Sequence, residues 1–268
     1  MSNHYKALKR SIRDGLININ GSVRKVAKLD YGKRVIAFHD ITDVSKFKDK
    51  MIWLSENFSI VSMEDLLLKP NDERIQVTIT FDDGFSCWHE KAAPVLEELD
   101  IPAVFFVCSG LVGGTKKAST KFIKEVLHRT RPLKALSLTQ LREISDCSLF
   151  EIGGHTVNHI DLGNYLPIET LNAEIIDDQS QLADWIGYRP RWFAYPYGKP
   201  CNISKKSMEY LQESSYEAAF SITPNFITQR HDKYLLPRDS LSINDPSRLW
   251  GNWLSGGYKR SMGNTTYD

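Results

Sequence analysis

The chain has 268 residues, 41% hydrophobic and 25% charged, which suits one large α/β domain with a well-buried core. Its net charge of +1 supplies no global field for nucleic acid, and that class of partner is excluded. Cys87, Cys108, Cys147 and Cys201 form no CxxC pair and read as reduced thiols, with two disulfides allowed but not required.

Residues 1–33 form a basic extension. Lys6, Lys9, Arg10, Arg13, Arg24, Lys25, Lys28, Lys33 and Arg34 face only Asp14 and Asp30 over the first 34 positions. Tyr5, Leu8, Ile12 and Leu16 fall near one helical face. Two readings stay open: a helix resting on an anionic membrane surface, and a helix packed on the domain with its charges in water. The segment has no apolar signal core, and the longest apolar run, IPAVFFVCSGLVGG, is too short to span a bilayer. The expected location is the cytoplasm, with peripheral contact at the inner membrane face as an option.

Residues 34–243 carry the predicted domain. RVIAFHDI reads as a first strand ending in His39-Asp40, followed by a helix over 47–57 and a strand or turn entering a helix at 63–67. In VTITFDDG, Val77, Ile79 and Phe81 alternate with threonines and predict a central strand that stops at Asp82-Asp83-Gly84. Two adjacent carboxylates there imply a cation between them or one of them protonated, unless the segment is simply a turn. A helix follows over 90–99, then a buried strand at 101–107, a basic surface helix and loop over 116–132, and a helix at 139–144. A short strand at 150–155 runs through Gly153-Gly154 into His155. The remaining elements are a helix over 169–186, a strand at 192–195 before Pro196-Tyr197-Gly198, a helix over 205–213, a strand at 218–222 and an extended piece at 234–241 bearing Arg238. Residues 244–268 read as a tail. Alternating strands and helices predict parallel β/α units, with chemistry at the C-terminal strand ends.

HTVNH places two histidines four apart, on one face if the segment is helical. Two His and one carboxylate form a common ligand set for a catalytic divalent metal, although surface histidine pairs are more frequent. TFDDG, HTVNH and FAYPYG, in this order, resemble the polysaccharide deacetylases of carbohydrate esterase family four, the NodB-homology group. The resemblance runs from about Arg34 to Leu241. It implies a single-domain, distorted (β/α) barrel and metal-dependent removal of an N-acetyl group from an acetamido sugar in bacterial surface polysaccharide or glycolipid biosynthesis. The substrate would be an N-acetylated sugar, glycan or lipid-linked glycan.

Carried over by residue, the resemblance implies Asp82 as general base and Asp83, His155 and His159 as ligands of one divalent metal. Zinc suits that set, with cobalt, nickel or manganese as alternatives. The Tyr197 backbone N–H would help hold the oxyanion. Thr156 is either a site-lining residue or a spacer. Many relatives carry an Arg where this chain has Ala194; Arg238 is the expected substitute that holds Asp82, and Arg191 the second choice. The late Leu-x-x-His strand of the family is missing. IAFHDI resembles that strand moved to the front, as in the circularly permuted poly-N-acetylglucosamine deacetylases. His39 is therefore the expected general acid, with His231 in reserve. Trp88 is a candidate sugar platform and His89 a helix-start residue. The alternatives are a deformylase or amidase using the same groups, and an inactive carbohydrate-binding protein.

Overall fold

The computed structural model describes residues 31–257. Eight strands form one sheet in the order β7-β6-β5-β4-β3-β1-β8, with β2 beside β3. They are β1 (Gly32–Phe38), β2 (Ser59–Ile60), β3 (Ile75–Asp83), β4 (Ala103–Val107), β5 (Phe150–Gly154), β6 (Trp192–Ala194), β7 (Ala218–Phe220) and β8 (Asp239–Ser240). Each ladder is parallel. The sheet curls until the segment before β8 meets β7 at the Phe220–Leu236 bridge, while β8 itself pairs with β1. This is the distorted (β/α) barrel that the family resemblance implies, built from the parallel β/α units that the alternating pattern predicts, as a single domain.

Alternate residues of the strands go to different cores, as the two-residue strand period requires. Ile36, Phe38, Phe105 and Val107 pack outward beneath the helices. Val35, Val104 and Phe106 join Phe220 and Leu236 in a smaller cluster, the inside of the barrel. β3 is buried along its whole length. Its threonines stay satisfied there: Thr78 Oγ1 donates to the Val61 carbonyl and Thr80 Oγ1 to that of Ile36. Phe81 and Phe105 stack with centroids 4.9 Å apart, which locks the middle of the sheet below the β3 terminus.

α1 (Val44–Asn57) covers the outer face, α2 (Met63–Leu68) sends Met63 and Leu66 into the inner cluster, and the outer cover continues with α3 (Ala93–Glu98) behind a π-helical turn at Trp88–Ala92, α4 (Lys116–Glu125) and α5 (Leu138–Asp146). Next, α6 (Ile168–Leu171) runs through a π-helical turn, Asn172–Ile176, into α7 (Asp177–Ile186), and α8 (Lys205–Glu213) follows. Side-chain caps start several of them, including capping boxes at Ser137 and Ser204.

One sequence expectation changes. Residues after Ile243 were expected as a tail, but α9 (Ser247–Asn252) and the turn at Trp253–Gly257 pack into the outer core, burying Leu249, Trp250, Trp253 and Leu254. Arg34, the first residue of the predicted domain, is fully buried. It pairs with Asp239 at 3.0 Å and donates to the Trp253 and Leu254 carbonyls, so it ties β1 to β8 and to the C-terminal segment. The proposed membrane-facing helix lies outside the described residues. Among the described residues no helix is long and apolar enough to cross a membrane.

Candidate active site

Strand register assembles the site. Phe38 of β1 is level with Phe81 of β3, so the next residues, His39 and Asp82, emerge side by side at the C-terminal rim. On the other edge of β3, Asp82 and Asp83 are level with Phe106 and Val107 of β4, and Val107 is level with Gly154 of β5. His155 then follows directly. Three strands, β1, β3 and β5, thus deliver His39, Asp82, Asp83 and His155 to one end of the barrel, with β4 setting the register between the last two.

Asp82 is buried and held by Arg238 through two parallel hydrogen bonds, Nη1 to Oδ1 at 2.7 Å and Nη2 to Oδ2 at 2.8 Å. Arg238 is itself buried, donating also to Thr80 Oγ1 and the Ser221 carbonyl. Burial pushes the Asp82 carboxyl up, but the Arg238 guanidinium, with His155 and His39 nearby, outweighs it and holds the group at about 2. Arg238 therefore stands where Ala194 left a gap. Arg191, the second choice, points elsewhere. It pairs with Glu217 at 2.7 Å and Glu64 at 3.3 Å and lies over the Trp192 ring, at the opening residue of β6 rather than at its site end.

Asp83, His155 and His159 bring one ligand atom each within 4.8 Å of the others, and all three residues are buried. Asp83 Oδ1 lies 3.7 Å from His155 Nε2 and 3.5 Å from His159 Nε2, and it has no hydrogen-bond partner. His155 Nδ1 lies 2.6 Å from the Ala194 carbonyl. A carbonyl only accepts, so Nδ1 carries the proton and Nε2 presents its lone pair inward. Burial lowers the pKa of both imidazoles, and with the His155 charge it takes His159 to about 4. Two neutral imidazoles around an orphaned carboxylate oxygen fit a divalent cation of nitrogen-oxygen preference.

The HTVNH segment is a loop rather than the helix that would align its histidines. Thr156 and His159 have φ of 64° and 51°, and these left-handed residues fold the loop back so that both rings face Asp83. Thr156 is fully buried and its hydroxyl has no partner. Tyr197 also has positive φ, 59°, its ring sits edge-on to His159 at 4.7 Å, and the side chain is 44% exposed. Among the described residues its backbone N–H has no acceptor.

Other candidates are placed elsewhere. His231 accepts from the Thr228 N–H and lines a hollow with Tyr31 and Gly32, at the start of β1 and roughly 20 Å from its far end at 3.3 Å per residue. It is not available as the general acid. Trp88 is fully buried and donates its indole N–H to the His39 carbonyl at 2.7 Å; it braces His39 and offers no face to a sugar. His89 pairs with Glu143 at 2.6 Å. The sequence reading missed Arg129, which sits 3.3 Å from Asp83 Oδ2. A left-handed His128 (φ 51°) just past α4 turns the chain and aims Arg129 inward. It also missed Arg131, bound to Asp40 at 2.9 Å. Both arginines line a cavity of about 170 Å³ with His39, Asp40, Thr42 and Asn244.

A parallel barrel with an arginine-held aspartate and an Asp-His-His trio at its C-terminal rim defines a hydrolase of the carbohydrate deacetylase class. A family model described as polysaccharide deacetylase matches residues 69–219, more than half of the chain, and the chain belongs to that family. It is 24% identical over 220 residues to a poly-β-1,6-N-acetyl-D-glucosamine N-deacetylase of Staphylococcus aureus (strain MSSA476), covering 78% of this chain and 70% of that one. The Staphylococcus epidermidis protein of the same name is 23% identical over 233 residues, with 83% and 75% covered. Among solved structures, IcaB from Ammonifex degensii superposes with a TM-score of 0.65 at 22% identity, covering 84% of this chain and 97% of that one. The Streptococcus pyogenes deacetylase PplD superposes at 0.66 and 18% identity, covering 84% and 99%. At these identities the structural likeness speaks to the fold.

Proposed function

We propose that this chain is a metal-dependent N-deacetylase of acetamido-sugar polymers, with a β-1,6-linked N-acetylglucosamine chain, free or lipid-linked, as its first candidate substrate. The observation that supports this most is the division of labour between neighbouring carboxylates. Asp82 is fixed by Arg238, while Asp83 turns its free oxygen toward two neutral imidazoles. The staphylococcal relatives supply the choice of sugar.

In this reading Asp83, His155 and His159 hold one divalent cation, zinc by donor preference. Bound there, the cation supplies Lewis acidity toward the amide carbonyl and toward water. Asp82, ionised at every physiological pH, accepts the proton of the attacking water. With a pKa of about 2 it is a weak base, so it suits a water already made acidic. The Tyr197 N–H donates to the developing oxyanion, an interaction worth about 3 kcal/mol for one well-placed donor. His39, level with Asp82, gives a proton to the departing amine. Water and amide become acetate and a free amino sugar. Arg238 touches Asp82 and acts by positioning it. The location proposed is the cytoplasm, with the basic extension toward the membrane, and cell fractionation tests it.

The experiment is to incubate zinc-loaded protein with β-1,6-linked N-acetylglucosamine oligomers and to measure acetate and formate, beside Asp82→Asn and a chelator control. Acetate that vanishes in both controls supports the proposal. Formate from formamido sugars would move the chain to the deformylase reading. Oligomer binding without release of either acid, in metal-loaded protein, would leave a carbohydrate-binding protein.

A further inference from the structure

We infer that Glu174 and Asp178 are positioning residues for the metal centre: two buried carboxylates, one helical turn apart, that hold the two loops supporting His155 and His159. The inference rests on reading Asp83, His155 and His159 as metal ligands.

The loop between the histidines has a conformation it would not keep alone. Thr156 and His159 are both left-handed without being glycine, so neighbouring groups must impose the geometry. Glu174, buried in the π-helical turn, does this from beneath. Its Oε2 accepts the Asn158 backbone N–H at 2.8 Å and its Oε1 the Asn158 side-chain amide at 2.7 Å. Both oxygens grip the one residue that precedes His159. Asp178 is fully buried, and its Oδ1 accepts the Ser109 N–H at 3.1 Å. Ser109 follows Cys108, whose thiol donates to the His155 carbonyl at 3.2 Å, and Gly110 N–H donates to the Val157 carbonyl at 3.0 Å. The second acid thus steadies the loop that carries the first histidine's support.

Neither carboxylate has an ion-pair partner among the described residues, and Asp178 Oδ2 makes no hydrogen bond of normal length. Burying two such groups side by side is costly, and packing alone gives no reason for it. Gly154, immediately before His155, makes room: a Cβ there would lie 2.0 Å from Tyr216 Oη and 3.0 Å from Asp178 Oδ2. The π-helical turn, a feature that gathers at functional sites, carries Glu174 itself.

The test titrates metal-free protein with Co2+ against a chromogenic chelator and records the visible spectrum of the cobalt protein. Wild type, Glu174→Gln, Asn158→Ala, the double variant and His155→Ala are compared. Glu174→Gln sets an amide donor against the Asn158 amide. We expect it to weaken Co2+ about 10–100-fold, the usual range for loss of a partner that orients metal ligands, and to change the spectrum. Asn158→Ala should weaken Co2+ by less, and the double variant should be no worse than Glu174→Gln, because both remove one interaction. Wild-type affinity and spectrum in Glu174→Gln would overturn the inference. Should that variant not fold, an unchanged affinity in Asn158→Ala would do so. Equal Co2+ binding by wild type and His155→Ala would instead overturn the metal reading, and this inference with it.

Discussion

Replacing Arg238 by Met keeps much of the side-chain volume and removes the charge that faces Asp82. In the native protein burial works against the Asp82 carboxylate, yet the group sits at about 2 rather than 3.8. A depression of this size corresponds to roughly 2–3 kcal/mol at ~1.4 kcal/mol per unit. A depressed acid contributes its stability above its ordinary pKa, and the contribution is lost as pH falls from about 4 toward 2. Without the guanidinium, burial dominates and the Asp82 pKa rises above 3.8. The charged form is then unpaired inside the barrel, which costs about 3–5 kcal/mol. The sign of the pH dependence therefore reverses at this residue: the variant should regain stability as Asp82 takes a proton, while wild type gains nothing from Asp82. Urea denaturation at pH 7 and pH 5 measures this. The expected gap between the two proteins is about 3–5 kcal/mol at pH 7 and smaller at pH 5. The acidic limb of the pH–activity profile should move upward in the variant. A gap under ~1 kcal/mol, the scale of an exposed ion pair, or one equal at both pH values, would refute the assignment of Arg238 as the group that holds Asp82.

Three further outcomes are expected. His39→Ala should lower kcat by about 10²–10⁴, the range for loss of a general acid, while Co2+ affinity stays at the wild-type value; a parallel fall in both would make His39 part of the metal site. Exhaustive chelation should abolish acetate release, and a divalent ion should restore it and raise the melting temperature. At 100 times its dissociation constant the ion would contribute about 2.7 kcal/mol, and a melting curve indifferent to metal would count against the site. In metal-free protein, burial and the His155 charge take His159 to about 4. A lowered histidine contributes stability that is complete above about 6.5 and lost as pH falls toward 4, roughly 3 kcal/mol at ~1.4 kcal/mol per unit. Urea midpoints that stay flat between pH 6.5 and 4.5 would contradict this.

The parts of the site that the sequence made legible are those written next to strand ends. Alternation in VTITF placed Asp82, and IAFHDI placed His39, because a strand of period two leaves little choice about where its last residue emerges. The family motifs then named the His pair. What was not legible arrives from a distance. Arg129 sits in a polar stretch that reads as surface, and only the left-handed turn at His128 aims it at Asp83. Glu174 and Asp178 lie in a helix whose apolar positions, Leu171, Ile175 and Leu182, explain its packing so well that the two acids pass as its wet side. The final helix had a usable signal in Leu249, Trp250, Trp253 and Leu254, at helical spacing. The glycines and serines around it suggested a loose end, whereas the residues pack beneath the sheet and accept from Arg34.

The adjacent aspartates show how a correct local argument reached an incomplete answer. Repulsion and burial do disfavour two bare carboxylates at a strand end, which suggests a cation between them or one of them protonated. The barrel solves the problem by separating them. Asp82 still follows the strand alternation and points inward to Arg238, while Asp83 has φ of 97° and turns toward the histidines and Arg129. Each acid has its own guanidinium from a different part of the chain, one chelating both oxygens and one touching a single oxygen. That difference is what makes their chemistry unequal. Asp82 has both oxygens committed to a fixed orientation, which suits the proton acceptor proposed for it. Asp83 keeps Oδ1 without a hydrogen bond, which suits the metal ligand proposed for it. Exchanging the roles of the two would need the strand to shift by one residue, which would turn every core side chain of β3 to the wrong face.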